Sequence, residues 1–229
     1  MTTRRMLLGS AVSAASLIAV AACSSGSDER PSGLRSSGKL SPDSSVRGAW
    51  IYKSPQANYA KYRRVMIDNA AVYTGTEANF GDASDADKQN WANAVTEEMR
   101  KVIGEKYPLV AGPGPDVLRI STTLIGVRQT VGGVATVTRV MPIGIAINAV
   151  RGAAGAGGTM TGGIEIAVEL HDSQSGELLA GAVREISPAA FDVGATLSTT
   201  DTVKASARDA ATTLRDAMDR NMTNLAKVP

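Results

Sequence analysis

Two side chains stand alone in their chemistry: Cys23 is the only thiol of the 229-residue chain, and His171 is its only imidazole. Cys23 ends the run Val20-Ala21-Ala22-Cys23 and precedes Ser24-Ser25-Gly26-Ser27. This order, a small aliphatic residue, two small residues and then a cysteine, suits a peptidase that accepts only small side chains before its cut. It also suits a thiol that takes a diacylglyceryl group as a thioether. With no second cysteine an intramolecular disulfide is excluded, and a lone thiol in an exported protein is a liability unless it is consumed. The sequence therefore predicts a lipid-anchored residue at Cys23. Each buried acyl CH₂ contributes about 0.8 kcal/mol and stable anchoring takes two chains, so two or three acyl chains would hold the protein at a membrane.

His171 offers less. It alternates with Glu165 and Glu169 on one face of an expected strand, a set that could in principle hold a metal. Zinc sites draw on several His or Cys ligands, and the sole thiol is committed elsewhere. A Ser-His-Asp triad would need His171, and no G-x-S-x-G elbow presents a serine to it. The adjacent carboxylates Asp85/Asp87 and Glu97/Glu98 read as a solvated helix surface. No cofactor motif occurs, since neither GxGxxG nor GK[ST] is present. The expectation is no catalytic site, no metal and no cofactor.

The segment before Cys23 has the form of an export signal. Arg4 and Arg5 precede a run from Met6 to Ala22 without charge, too short for a confident membrane span. Thr3-Arg4-Arg5-Met6-Leu7-Leu8 fits a twin-arginine signal and an ordinary basic leader alike. Removing residues 1–22 from 229 leaves 207, and it removes Arg4 and Arg5 from 24 basic residues, leaving 22 against 22 acidic ones. A neutral mature chain excludes a basic nucleic-acid surface. Residues 23–47 are rich in Ser, Gly and Pro and predict a flexible tether of 25 residues, with a reach of roughly 25–30 Å. Residues 48–229 remain as one domain.

Within that domain, Trp50, Tyr52, Tyr59 and Tyr62 are expected to pack its first segment. Arg64–Asp68, continuing through Ala71-Val72-Tyr73, reads as a strand, and Leu109-Val110 as a short one. Ser84 is placed to cap a helix that runs to about Lys106, with Trp91, Val95, Met99, Val102 and Ile103 on its apolar face. Val117–Val127 predicts a long strand with Leu118, Ile120, Thr122 and Leu124 on one face. Ile164–His171 and Glu177–Ile186 predict a hairpin around Asp172-Ser173-Gln174-Ser175-Gly176, in which Asp172 opposes Glu177 and Glu165 opposes Arg184. A second helix is expected from about Thr200 to Ala226, with Val203, Ala207, Ala210, Ala211, Leu214, Met218, Met222 and Leu225 in one stripe, and Asp216 and Arg220 four residues apart on the other side. These elements give an α+β fold, a sheet of about four to six largely antiparallel strands with two amphipathic helices packed on one face.

The stretch 131–163 breaks this pattern. Arg139 and Arg151 bracket eleven residues, Val140 to Val150, apolar but for Asn148 and followed by a glycine-rich run. That is too short to span a bilayer as a helix. It reads as a buried helix with a glycine loop, or as a patch for a partner or ligand formed by Met141, Pro142, Ile143, Ile145, Ile147 and Val150.

Gly114-Pro115-Asp116-Val117-Leu118-Arg119-Ile120, Met141-Pro142-Ile143-Gly144 and Leu170-His171-Asp172-Ser173-Gln174-Ser175-Gly176-Glu177-Leu178-Leu179 together resemble bacterial lipoproteins grouped as domain of unknown function 3313. The similarity covers roughly residues 46–222, and the glycine run after Arg151 is longer than in that pattern. The resemblance implies an envelope lipoprotein with an α+β domain and brings no site residues. The functional expectation is a non-enzymatic, lipid-anchored module facing the periplasm that binds or scaffolds a protein partner in the cell envelope. A carrier or sensor of an apolar, lipid-like ligand is the alternative, and a hydrolase comes third. Ser24 after the cysteine favours the outer membrane.

Overall fold

A computed structural model describes residues 29–129, 162–188 and 197–223. Seven strands are formed by these residues: β1 (Ser41–Pro42), β2 (Trp50–Lys53), β3 (Arg64–Ile67), β4 (Ala71–Val72), β5 (Val117–Arg128), β6 (Gly163–Asp172) and β7 (Leu178–Ile186). Two helices accompany them, α1 (Asp85–Gly104) and α2 (Thr199–Thr223). The sheet order is β1-β2-β7-β6-β5-β3, with β4 following β3 along the same side of β5. Neighbours from β1 to β5 in this order are antiparallel, whereas β3 and β4 run parallel to β5. The α+β class, the largely antiparallel sheet and the helix pair agree with the sequence. The two-residue strands β1 and β4, too short to carry a period, bring the strand count to seven.

The helices form where their caps and stripes predict. Ser84 Oγ accepts from the Asp87 backbone N–H (3.1 Å) and Asp87 accepts from that of Ser84 (3.3 Å), so two donors of the first turn are satisfied reciprocally. Helix α1 buries Trp91, Val95, Met99, Val102 and Ile103. Helix α2 buries Val203, Ala207, Ala210, Ala211 and Met218, and its small side chains let the two helices approach closely. Leu225 lies outside the described residues. Both helices join one apolar core with Val65, Ile67, Leu118, Ile120, Leu124, Ile164, Ile166 and Leu170, which come from one face of the sheet.

Polar side chains tie the helices together. Arg208 donates two hydrogen bonds to Glu98 (2.9 and 3.1 Å), Arg215 reaches Glu105 (2.5 Å), and Asp219 accepts from both Lys106 and Tyr107. Glu98 is thus buried at the helix junction, unlike exposed Glu97, because α2 covers its side of α1. Asp216 lies 3.8 Å from its neighbour Arg215.

Three further departures concern register and extent. The β6–β7 hairpin carries a bulge between Leu170 and His171, which shifts the pairing by one residue: Glu165 opposes Glu185, and Ile166 opposes Arg184. Arg128 donates to Glu185 (2.6 Å) and Arg184 to Asp43 (3.1 Å), so both charges find partners outside the hairpin. An extra residue in one strand leaves no trace in alternation read from the turn outwards. The expected strand over 64–73 is divided at Asp68, whose carboxylate turns to Arg119 (2.8 Å) and Ser121 (2.6 Å). Leu109 makes only a single bridge to Val65.

The largest departure is the tether. Its first residues, 23–28, lie outside the described part, but residues 31–47 lie against the sheet. Pro31, Ser36 and Leu40 are buried, and Ser41–Pro42 pair with β2. A segment this poor in apolar residues cannot order itself. It can dock onto a sheet already formed, where few contacts suffice.

Candidate functional site

Residues 31–40 cross the face of the sheet opposite the helices and act as a strap over it. Leu40 joins Tyr73, Ile125, Ala167 and Val183 in a second, smaller apolar cluster, against which Leu34, Trp50 and Tyr52 pack. The Ser36 backbone N–H donates to Glu169 Oε1 at 2.6 Å, a buried hydrogen bond. The Tyr73 hydroxyl lies 2.7 Å from the Ser32 carbonyl and 2.5 Å from the Glu77 carboxylate. Gly181 makes the approach possible: a Cβ there would stand 2.7 Å from the Ser36 Cβ.

Alternation along β6 sends Glu169 and His171 to this strap face while Ile166, Val168 and Leu170 face the helices. The strap leaves Glu169 7% and His171 1% exposed. His171 Nε2 is 3.9 Å from Glu169 Oε2, and among the described residues neither ring nitrogen has a hydrogen-bond partner. Ser36 Oγ, also fully buried, has none either. Burial pushes the imidazole below its ordinary value. Glu169 opposes that effect, Arg35 and Arg119 add to it, and the Gly176 backbone favours the charged ring without reaching hydrogen-bond geometry. The expectation of a solvated charged strand face is corrected here, since the segment read as a tether is what covers it. Its sequence signal is faint: Leu34 and Leu40 are the only large aliphatic residues between Cys23 and Arg47 apart from Val46.

The face has limited chemistry. Activating a serine would require a hydrogen bond from its hydroxyl to the imidazole, and no described side chain is so placed. Among the described residues no three His, Cys, Asp or Glu side chains gather as metal ligands. Glu165 stands apart from Glu169 and His171, beside a cleft at the end of the sheet lined by Asn79, Arg128, Gly163 and Glu185. That cleft holds about 40 Å³, an order of magnitude below an ordinary ligand pocket.

The hairpin motif is structural. Asp172 accepts from Lys61 Nζ (2.6 Å), the Tyr62 hydroxyl (2.9 Å) and the backbone N–H groups of Gln174 (3.0 Å) and Ser175 (2.8 Å). The Lys61 ammonium first, and these donors with it, hold its carboxyl well below the usual carboxylate range. Burial raises the Tyr62 hydroxyl, and its bond to Asp172 adds to the rise. Ser173 Oγ accepts from Gly114 N (3.1 Å) and donates to Gly114 O (3.0 Å), tying the turn to the start of β5. Gly176, at φ +71°, closes the turn in a conformation only glycine adopts freely. Asp116 is bonded by Arg64 through both carboxylate oxygens. Of the residues that carry the family resemblance, Asp172 and Ser173 therefore fasten the turn to the sheet.

Cys23 lies outside the described residues, as do Met141, Pro142, Ile143, Ile145, Ile147 and Val150. Arg128 and Gly163, which flank this stretch, pair with each other at one end of the sheet. Among the described residues no helix is long and apolar enough to cross a membrane.

A family model described as "Protein of unknown function (DUF3313)" matches residues 30–214. The match begins where the strap begins, earlier than the roughly 46 read from motifs. No curated protein matches the chain. Similar solved structures include a PelC dodecamer from Paraburkholderia phytofirmans, 10% identical over 73% of this chain and 97% of that one, with a TM-score of 0.41. A family-DUF330 protein from Xanthomonas campestris is 8% identical over 77% of this chain and 94% of its own, with a TM-score of 0.39. A DUF4136 family protein from Bacteroides thetaiotaomicron is 10% identical over 77% and 97%, with a TM-score of 0.36.

Proposed function

The chain belongs to the DUF3313 family of proteins of unknown function, and on that premise we propose that it is a lipid-anchored, non-enzymatic module of the bacterial cell envelope. It faces the periplasm and binds or scaffolds a protein partner there. The observation that carries this reading is Val20-Ala21-Ala22-Cys23, at the end of the uncharged run that begins at Met6 and holding the only thiol of the chain. Pro31 is already buried against the domain, only eight residues beyond Cys23. Fully extended, eight residues span roughly 26–29 Å, so an acylated Cys23 would keep the strap within that distance of the bilayer. The outer membrane is the address favoured by Ser24. Partner recognition is assigned to Met141, Pro142, Ile143, Ile145, Ile147 and Val150, the most apolar stretch of the mature sequence.

The test is Cys23→Ser in cells fed a palmitate probe. Loss of labelling, with the protein retained as precursor or released from membranes, supports the anchor, and unchanged labelling overturns it. Crosslinking in intact cells then identifies the partner. A capture that survives Ile143→Asp combined with Ile145→Asp would move the recognition site elsewhere.

A further inference from the structure

The strap is held mostly by small or polar contacts, and among the groups beneath it is one whose charge changes near neutral pH. We propose that residues 31–40 are a proton-released strap, with His171 as the catch: a neutral imidazole lets them lie over the sheet, and an imidazolium lifts them off. This goes beyond the anchoring proposal and does not depend on it.

The geometry sets the direction. In the closed strap His171 is 1% exposed, and both its nitrogens lack partners among the described residues. A neutral ring tolerates this poorly and a charged one far worse, because burying an unpaired charge costs more than burying an unpaired dipole. The charges around it come from every element packed on it. Glu169, on the same strand, is the one carboxylate that faces it, and one of its oxygens is already taken by the Ser36 N–H. Arg35 on the strap and Arg119 on β5 both oppose a second positive charge. Asp68 engages Arg119, while Asp172 points to Lys61 and Tyr62 on the other side. On β7 the register partner is Leu178, which is apolar. In the open strap the ring meets water and regains an ordinary value near 6.5.

The linkage follows in sign. A histidine whose closed-state value is depressed contributes its full share to closure above about pH 6.5 and loses it as the pH falls below that value. One proton coupled in this way changes the opening equilibrium by up to about tenfold per pH unit. In an anchored chain, release would lengthen the tie from Cys23 to the sheet from eight residues to 18, ending at Ser41. Its maximum span would rise from roughly 26–29 Å to roughly 59–65 Å.

The experiment uses the processed full chain without a polyhistidine tag, so that His171 remains its only imidazole. Amide hydrogen exchange, corrected for the intrinsic pH dependence, is followed between pH 7.5 and 5.5. The expected result is that protection within 31–40 falls by up to about tenfold per unit below pH 6.5 while α1 and β6 keep theirs. The single imidazole resonance of the wild-type chain is titrated in parallel, and its midpoint should coincide with strap release. In His171→Gln, protection of 31–40 should no longer respond to acid over this range. Unchanged strap protection in the wild type would overturn the proposal. So would an imidazole that titrates without strap release, strap and core opening together, or acid release persisting in His171→Gln. Should that variant fail to fold, the wild-type coincidence of titration and release decides alone.

Discussion

The two faces of the sheet differ in how much apolar surface covers them and in which polar groups they bury. The helix face meets α1 and α2 through large aliphatic side chains; it pairs Glu98 with Arg208 at its margin, and the polar groups it buries without a partner among the described residues are two neutral hydroxyls, those of Thr122 and Ser206. The strap face meets ten residues of low apolar content, with a small cluster around Leu40 and, beside it, Ser36 Oγ and both nitrogens of His171 buried without partners among the described residues. Buried polar groups are almost always hydrogen-bonded, and unsatisfied ones cost about 1–3 kcal/mol each. The difference separates a face that holds the domain together from one whose cover can leave while the domain persists. The same sheet supports both because alternation along β6 assigns Ile164, Ile166 and Leu170 to one side and Glu169 and His171 to the other.

Truncation on each face should break this contrast in different ways. Ile166→Ala, at the centre of the helix face, should cost about 4 kcal/mol and lower the denaturation midpoint of the whole domain in a single transition. A first, separate transition of the helices would contradict the single core. Asp172→Asn, at the turn that joins the two faces, should cost about 3 kcal/mol at neutral pH, since it leaves Lys61 and two turn N–H groups without their carboxylate. Because that carboxyl is held low, its contribution is complete above about pH 3.8 and fades as the pH falls through its folded-state value. Wild type and variant should therefore converge in denaturant titrations only in acid, and a gap that closes above pH 5 would refute the assignment. Gly181→Val should cost about 2 kcal/mol, confined to the strap, because the new side chain collides with Ser36. Trypsin should then cut at Arg35 and Lys39 about 30-fold faster without a change in the main unfolding transition. Equal cutting rates would show that the strap does not need the gap.

Much of the helix face was legible before any coordinates. Ser84 with Asp87, the stripe from Trp91 to Ile103, and the alternation of β5 and β6 each repeat a local rule several times, so isolated deviations do not erase them. The hairpin register was not legible, because one bulge at Leu170/His171 displaces every later pair. The strap was not legible either. Its composition matches a tether, and only Leu34 and Leu40 mark the side that docks. Misreading the strap carried over to the site, since Glu169 and His171 on an uncovered strand would be an ordinary solvated face.

The sequence by itself determined the uncharged run ahead of a single thiol in its small-residue context, the family motifs, and which residues of each strand share a side. These are local properties, written in adjacent residues or at a fixed period. Tertiary structure alone decided that residues 31–40 lie on the sheet, that Gly181 leaves room for Ser36, and that His171 is buried beside Glu169. Each of these joins positions far apart in the chain, where no periodicity connects them and where burial depends on what arrives from elsewhere.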